Sequence, residues 1–133
     1  GYEIYQGALA ILDQRFTNRA RSCLRSFVPL VQVSIVDFQR DPSTTNSVIV
    51  QAVADLDGFW PLTEDAALET VIQMGELGIV GNGTNQTVGD FDRGRVEELI
   101  AVTVAKMESV YVPAGLGPDD LVTNEFIDEN IGL

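Results

Sequence analysis

Apolar positions recur at three- and four-residue intervals through most of the chain, the spacing that turns one face of a helix toward a core. The first such series is Ala20, Cys23, Leu24, Phe27, Val31, Ile35 and Phe38, with Thr17 or Asn18 placed to cap it. Pro29 falls inside the series and predicts a kink or a split, because proline has no N–H to donate and crowds the preceding turn. Asp41-Pro42 reads as an acidic N-cap followed by proline at the first helical position, opening a second helix that buries Ile49, Ala52, Val53 and Leu56. Gly58 and Pro61 bracket a turn holding Phe59 and Trp60. Thr63, with Glu64 and Asp65 behind it, opens a third helix that buries Leu68, Val71, Ile72 and Gly75 and stops at Gly78. Asp90 or Asp92 caps a fourth, whose inner positions are Val96, Leu99, Ile100, Thr103 and Met107.

Three segments escape this period. Residues 8–12 form a short apolar run ended by Asp13 and predict a buried strand. A lone strand leaves backbone groups unpaired, so it calls for a copy of itself or for a sheet supplied by further sequence. The chain opens on Gly1 rather than Met with no signal-like segment, and an upstream stretch is expected to have been removed. Residues 81–89 carry three glycines and no apolar face, and read as a flexible loop. The tail turns through 113–118, makes a short helical turn at 119–122, and ends with Phe126, Ile127 and Ile131 docked on the core. With no repeat and no linker, residues 1–133 read as a single domain, mostly α with a short N-terminal strand segment.

Composition narrows the chemistry. The 133 residues hold 8 Lys+Arg against 20 Asp+Glu, a net charge of −12, which removes nucleic acid as a partner. The imbalance is local: five arginines face three acids in residues 1–40, and three cations face 17 acids in residues 41–133. That arrangement allows attraction between the two regions. There is no histidine, which excludes Ser-His-Asp and Cys-His catalysis and the common zinc sites. The single cysteine, Cys23, lies on the apolar series of the first helix and reads as an inert core residue.

The remaining candidates have simpler uses. The acid pairs Glu64-Asp65, Asp119-Asp120 and Asp128-Glu129 lie at or near helix starts, where carboxylates complement the dipole, and Glu97-Glu98 lies one turn in. Asp90-Phe91-Asp92 lacks the Gly and distal Glu of a calcium loop, and the 81–89 glycines lack the Lys-Ser/Thr of a phosphate loop. Asn82-Gly-Thr84 and Asn85-Gln-Thr87 match the glycosylation tripeptide, a pattern that matters only in a secretory setting. No cofactor, no metal and no enzymatic activity are expected.

The final third carries a resemblance. Asp92-Arg-Gly-Arg-Val-Glu-Glu-Leu-Ile100, the segment Gly115-Leu-Gly-Pro-Asp-Asp-Leu-Val-Thr-Asn-Glu-Phe-Ile-Asp128, and the closing Ile131-Gly-Leu133 resemble the C-terminus of ABC-transporter solute-binding proteins of the nitrate, sulfonate and taurine type. Those chains tend to end on a D-L-(Y/V)-T-N-E-F motif, matched here by Asp120-Leu121-Val122-Thr123-Asn124-Glu125-Phe126; over residues 1–80 only the order of helices fits. The resemblance implies the C-terminal portion of a two-lobed α/β periplasmic-binding-protein-like fold, with residues 8–12 as a strand of the first lobe and less than half of such a protein in this chain. It implies an extracytoplasmic protein, periplasmic or a cell-surface lipoprotein, that hands a small solute such as a sulfonate, nitrate or related anion to an ABC permease. Tyr2 and Tyr5 are the ligand-binding, cleft-lining candidates, and the 123–126 motif reads as a structural bend with Phe126 packed beneath it. The competing reading is a small acidic helical interaction or dimerisation module with no transport role. On either reading the chain is expected to self-associate through apolar surface left uncovered.

Overall fold

Thr17 starts the first helix, its hydroxyl accepting from the Ala20 N–H at 3.3 Å. In the computed structural model, which describes residues 5, 7–12, 15–56, 60–107, 109 and 111–133, this helix is α1, Asn18–Arg40. It is followed by α2 (Ser43–Asp55), α3 (Glu64–Glu76), α4 (Arg93–Lys106) and a 3₁₀ turn at Pro118–Asp120. The chain is mostly helical, and among the described residues there is no strand. Residues 8–12, expected as a buried strand, are exposed, and among the described residues they find no neighbour to make a sheet.

Pro29 neither splits nor ends α1, which continues 11 residues beyond it. Proline removes the one bond its N–H would have made, and the helix runs on through that loss. The packed face of α1 is not the apolar series expected. Gln32 and Val36 are its buried residues, whereas Cys23 is exposed and Phe27 lies 47% open. The cause is visible in the sequence: Phe27, Val28, Leu30, Val31, Val33, Ile35 and Val36 go most of the way round the helix, so periodicity alone could not choose a face.

α2 begins one residue later than expected, at Ser43. Pro42 occupies the cap position without a side-chain bond, and Asp41 instead accepts from the Ser43 N–H at 3.2 Å and from its hydroxyl. Its expected inner face is open: Leu56 is 79% exposed, Ile49 and Ala52 are exposed and Val53 is half-buried, while Asn46 is the buried residue. α2 pairs with α3, whose Thr63 cap and acidic first turn match expectation. Val71 is buried there together with Ala67, but Leu68, Ile72 and Gly75 are exposed. α3 closes with a Schellman motif, the Ile79 N–H reaching the Met74 carbonyl at 2.9 Å and the Gly78 N–H reaching Gly75 at 3.1 Å. Gly78 sits at φ +65°, which a side chain would disfavour.

Asp92 caps α4 through the Arg95 N–H at 2.7 Å, and Val96 is its buried position, with Leu99, Ile100 and Thr103 half-buried and Met107 exposed. No described helix is long and apolar enough to cross a membrane. The buried apolar residues are Val36, Ala67, Val71, Val88, Val96 and Phe126, and buried Gln32 ties α1 to Val88 and to the tail among them.

Candidate functional site

The tail lies along one face of α1 and is held there by four side chains of that helix. Arg21 and Arg25 grip the Glu125 carboxylate, the second at 3.4 Å, so the attraction between the arginine-rich start and the acidic remainder takes a specific form. Two turns beyond Arg25, Gln32, 2% exposed, uses both amide hydrogens and its oxygen. It donates to the Val88 carbonyl at 2.9 Å and the Asp128 carbonyl at 3.1 Å, and accepts from the Asp128 N–H at 2.9 Å. Arg40 reaches the Gly132 carbonyl at 3.5 Å. The tail thus runs in the same direction as α1, and at Asp128 and Gly132 its backbone finds in Gln32 and Arg40 partners that a ladder would otherwise supply.

Residues 82–88 close over the tail from the other side. The Val88 N–H donates to Ile131 at 3.0 Å, the Thr87 hydroxyl to Glu129 at 2.9 Å, and Asn82 exchanges two bonds with the backbone of Leu133 at 3.0 and 2.9 Å. An isolated antiparallel bridge joins Asn82 and Val88, and both Thr87 and Val88 are buried. The glycine-rich segment expected as a flexible loop is therefore a docked clasp. At Gly132 the approach is so close that a Cβ would overlap the Gln86 carbonyl oxygen, with Asn82 Oδ1 2.9 Å away.

The motif at 123–126 serves this packing, as expected of it. Asn124 accepts from the Phe91 N–H and donates to the Phe91 carbonyl, both at 2.9 Å, while the Thr123 hydroxyl accepts from the Glu125 N–H at 3.1 Å. Phe126 is buried with its ring edge-on to Phe16 at 6.1 Å, and Arg21 lies over the Phe16 ring. Tyr5 belongs to the same junction. Its hydroxyl accepts from the Asp92 N–H at 2.7 Å, its ring meets Phe91 at 5.0 Å, and Arg95 lies over its face at 4.3 Å. Tyr2, the other aromatic singled out, lies outside the described residues, as do Gly58 and Phe59. Trp60 is 79% exposed.

Several of the acidic candidates are occupied in the same structural way. Thr84 donates to Asp92 at 3.1 Å and Asn85 to Asp90 at 2.8 Å, which folds the clasp onto the start of α4. The Arg95 N–H and then the Thr84 hydroxyl hold the Asp92 carboxyl below its ordinary value. Arg93 does the same to Asp119, which it meets at 2.6 Å. The side-chain nitrogens of both glycosylation tripeptides, Asn82 and Asn85, are already donors in these bonds. No group of three or more acids and cysteines among the described residues is placed to hold a metal.

An open groove of about 430 Å³ lies along the seam, bordered by Arg25, Pro29, Glu125, Phe126, Asp128 and Asn130. Its charges are largely spent internally, Arg25 on Glu125 and Asp128 on the Asn130 N–H at 3.0 Å. No nucleophile–base pair lines it. Sequence reasoning missed Gln32, Asn82 and Gly132; the available signal was one glutamine between Val31 and Val33 in the most apolar stretch of α1. Comparison with protein-family models, curated proteins and solved structures finds no match to this chain.

Proposed function

We propose that this chain is the C-terminal portion of an extracytoplasmic solute-binding protein that serves an ABC importer, for a small solute such as a sulfonate, nitrate or a related anion. The observation that carries the reading is the use made of residues 120–126, the segment on which the resemblance rests. Asn124, Glu125 and Phe126 each lock the tail to a different element, α4's entrance, α1 and Phe16 respectively. A motif with that duty belongs to the frame of a binding lobe rather than to its ligand cleft. In such a protein the solute is trapped by closure of two lobes, and the open apolar faces of α2 and α3 are where further lobe structure would pack. Tyr5, at the entrance of α4, is the described residue nearest to a cleft-lining role.

The decisive experiment is the mass of the natural polypeptide on a denaturing gel, detected with an antibody raised against residues 123–128, followed by a thermal-shift screen of that polypeptide. A band at least about twice the 14.4 kDa of this chain is expected, with Tm raised by one member of a panel of nitrate, taurine, alkanesulfonates and pyrimidines. A natural polypeptide near 14.4 kDa would overturn the reading and leave the helical interaction module.

A further inference from the structure

The outer face of α1 carries a stripe that is complementary to itself. Opposite the Gln32 face, Arg19, Cys23, Ser26, Phe27, Leu30, Val33 and Asp37 follow one another at helical spacing, and all are exposed. Phe27, Leu30 and Val33 are 47%, 63% and 41% open, a continuous apolar centre with a cation at one end and an anion at the other. Among the described residues neither Arg19 nor Asp37 makes an ion pair or a side-chain hydrogen bond. We propose that this stripe docks a second copy of the chain, the two α1 helices packing antiparallel about a two-fold axis near residue 28. The inference does not rest on the transport reading.

The register follows from the residues. A two-fold axis at 28 sets Arg19 against Asp37 of the other copy, and Asp37 against its Arg19, so both ends of the stripe are neutralised by one symmetry operation. It sets Leu30 over the small Ser26 and Val33 over the small Cys23, twice each, which lets the helices approach closely while Phe27 covers the axis. A parallel pairing would bring Arg19 to Arg19 and Asp37 to Asp37, and like charges select against it. The stripe is about 27 Å long at 1.5 Å per residue. One helix face of that length buries less than the roughly 1,200 Å² of a stable complex, so the dimer is weak, dissociating in the micromolar range.

The register makes a chemical test available. Cys23 and its symmetry mate lie about 15 Å apart along the helices, too far to bond, and so do positions 23 and 33 within one helix. In Val33→Cys, however, each Cys23 faces the new thiol of the other copy. Mild oxidation is expected to convert Val33→Cys to a covalent dimer while the parent chain stays uncrosslinked. Sedimentation of the parent should show a concentration-dependent dimer, abolished by Leu30→Asp with helical circular dichroism unchanged. Arg19→Asp and Asp37→Arg should each weaken it at least threefold, and the double variant should restore it. A parent chain monomeric throughout the micromolar range would overturn the proposal. So would a dimer untouched by Leu30→Asp, which would place the contact on α2 and α3. A longer natural polypeptide that is monomeric because another of its segments covers the stripe would overturn it as well.

Discussion

The seam between α1 and the tail and the hairpin of α2 and α3 are held by different means. In the seam a few polar side chains address backbone groups at a distance in sequence: Gln32 to Val88 and Asp128, Asn82 to Leu133, Asn124 to Phe91. In the hairpin two regular helices already satisfy their own backbones, and they meet around Asn46, Ala67 and Val71 with Val48, Leu56, Leu68 and Ile72 left open. Irregular chain must be given its hydrogen-bond partners one at a time, and each partner becomes specific to one place. Helical chain needs only a surface to lean on, and many apolar residues can provide one. Substitution should therefore hurt the seam at particular polar residues, and the many open apolar positions of the hairpin hardly at all.

Gln32→Leu is the strongest way to test that contrast. It keeps the volume but strands the Val88 carbonyl and both backbone groups of Asp128, and is expected to cost about 3 kcal/mol in urea unfolding, from buried groups left without partners. The exposed hairpin residues Leu68 and Ile72, changed to Ser, should stay within about 0.5 kcal/mol of the parent. Equal losses at the two places would erase the distinction.

Gly132→Ala comes next. The added Cβ cannot coexist with the Gln86 carbonyl, but the last residues can release from the clasp, so the expected loss is about 2 kcal/mol. Hydrogen exchange at Val88 and Leu133, whose N–H groups depend on the docked tail, should accelerate while exchange in α3 is unchanged. In the hairpin a cap gives a smaller loss: Thr63→Ala removes the bond to the Ala66 N–H and should cost about 1 kcal/mol.

The same contrast explains what could be read from the sequence. The cap at Thr63, the caps at Thr17 and Asp92 as one of two candidates each, the end of α3 at Gly78, and the docking of Phe126 were legible because each rests on a local rule tying one residue type to one backbone need. The burial of Gln32, the exposure of Cys23 and the docking of residues 82–88 were not, because they depend on which face of an all-round apolar helix the tail selects. That choice is made by pairings across 51 to 96 positions, such as Asn82 with Leu133 and Gln32 with Asp128, and no local pattern records them. The strand expected at 8–12 failed similarly: a short apolar run shows a wish for burial, but a strand also needs a neighbour.

Acid titration is the gentlest probe, and it reaches both regions, since Asp41 at the start of α2 is also held below its ordinary value by Ser43. Asp92, Asp119 and Asp128 all belong to the seam and its approach, and all are held below their ordinary value of 3.8. The causes are the Arg95 N–H for Asp92, Arg93 for Asp119, and the Asn130 N–H for Asp128. A carboxylate with a depressed folded pKa adds stability that is complete above its unfolded pKa and fades as pH falls through the folded one. Opposing this, the chain carries −12 at neutral pH, and protonating its acids first relieves self-repulsion. Tm should therefore rise modestly as pH falls from 7 toward the ordinary carboxylate range, then fall below about pH 4. Salt tells the two limbs apart, since at about 1 M the Debye length is near 3 Å and the repulsive limb flattens while hydrogen-bonded carboxylates a bond length from their donors are little screened. Asp92→Asn keeps an oxygen for the Arg95 N–H but cannot titrate, so it should soften the acid limb alone and leave the neutral limb as it was. An acid limb that vanished in salt and ignored Asp92→Asn would mean that net charge, rather than the bonds at the seam, sets the acid stability of the protein.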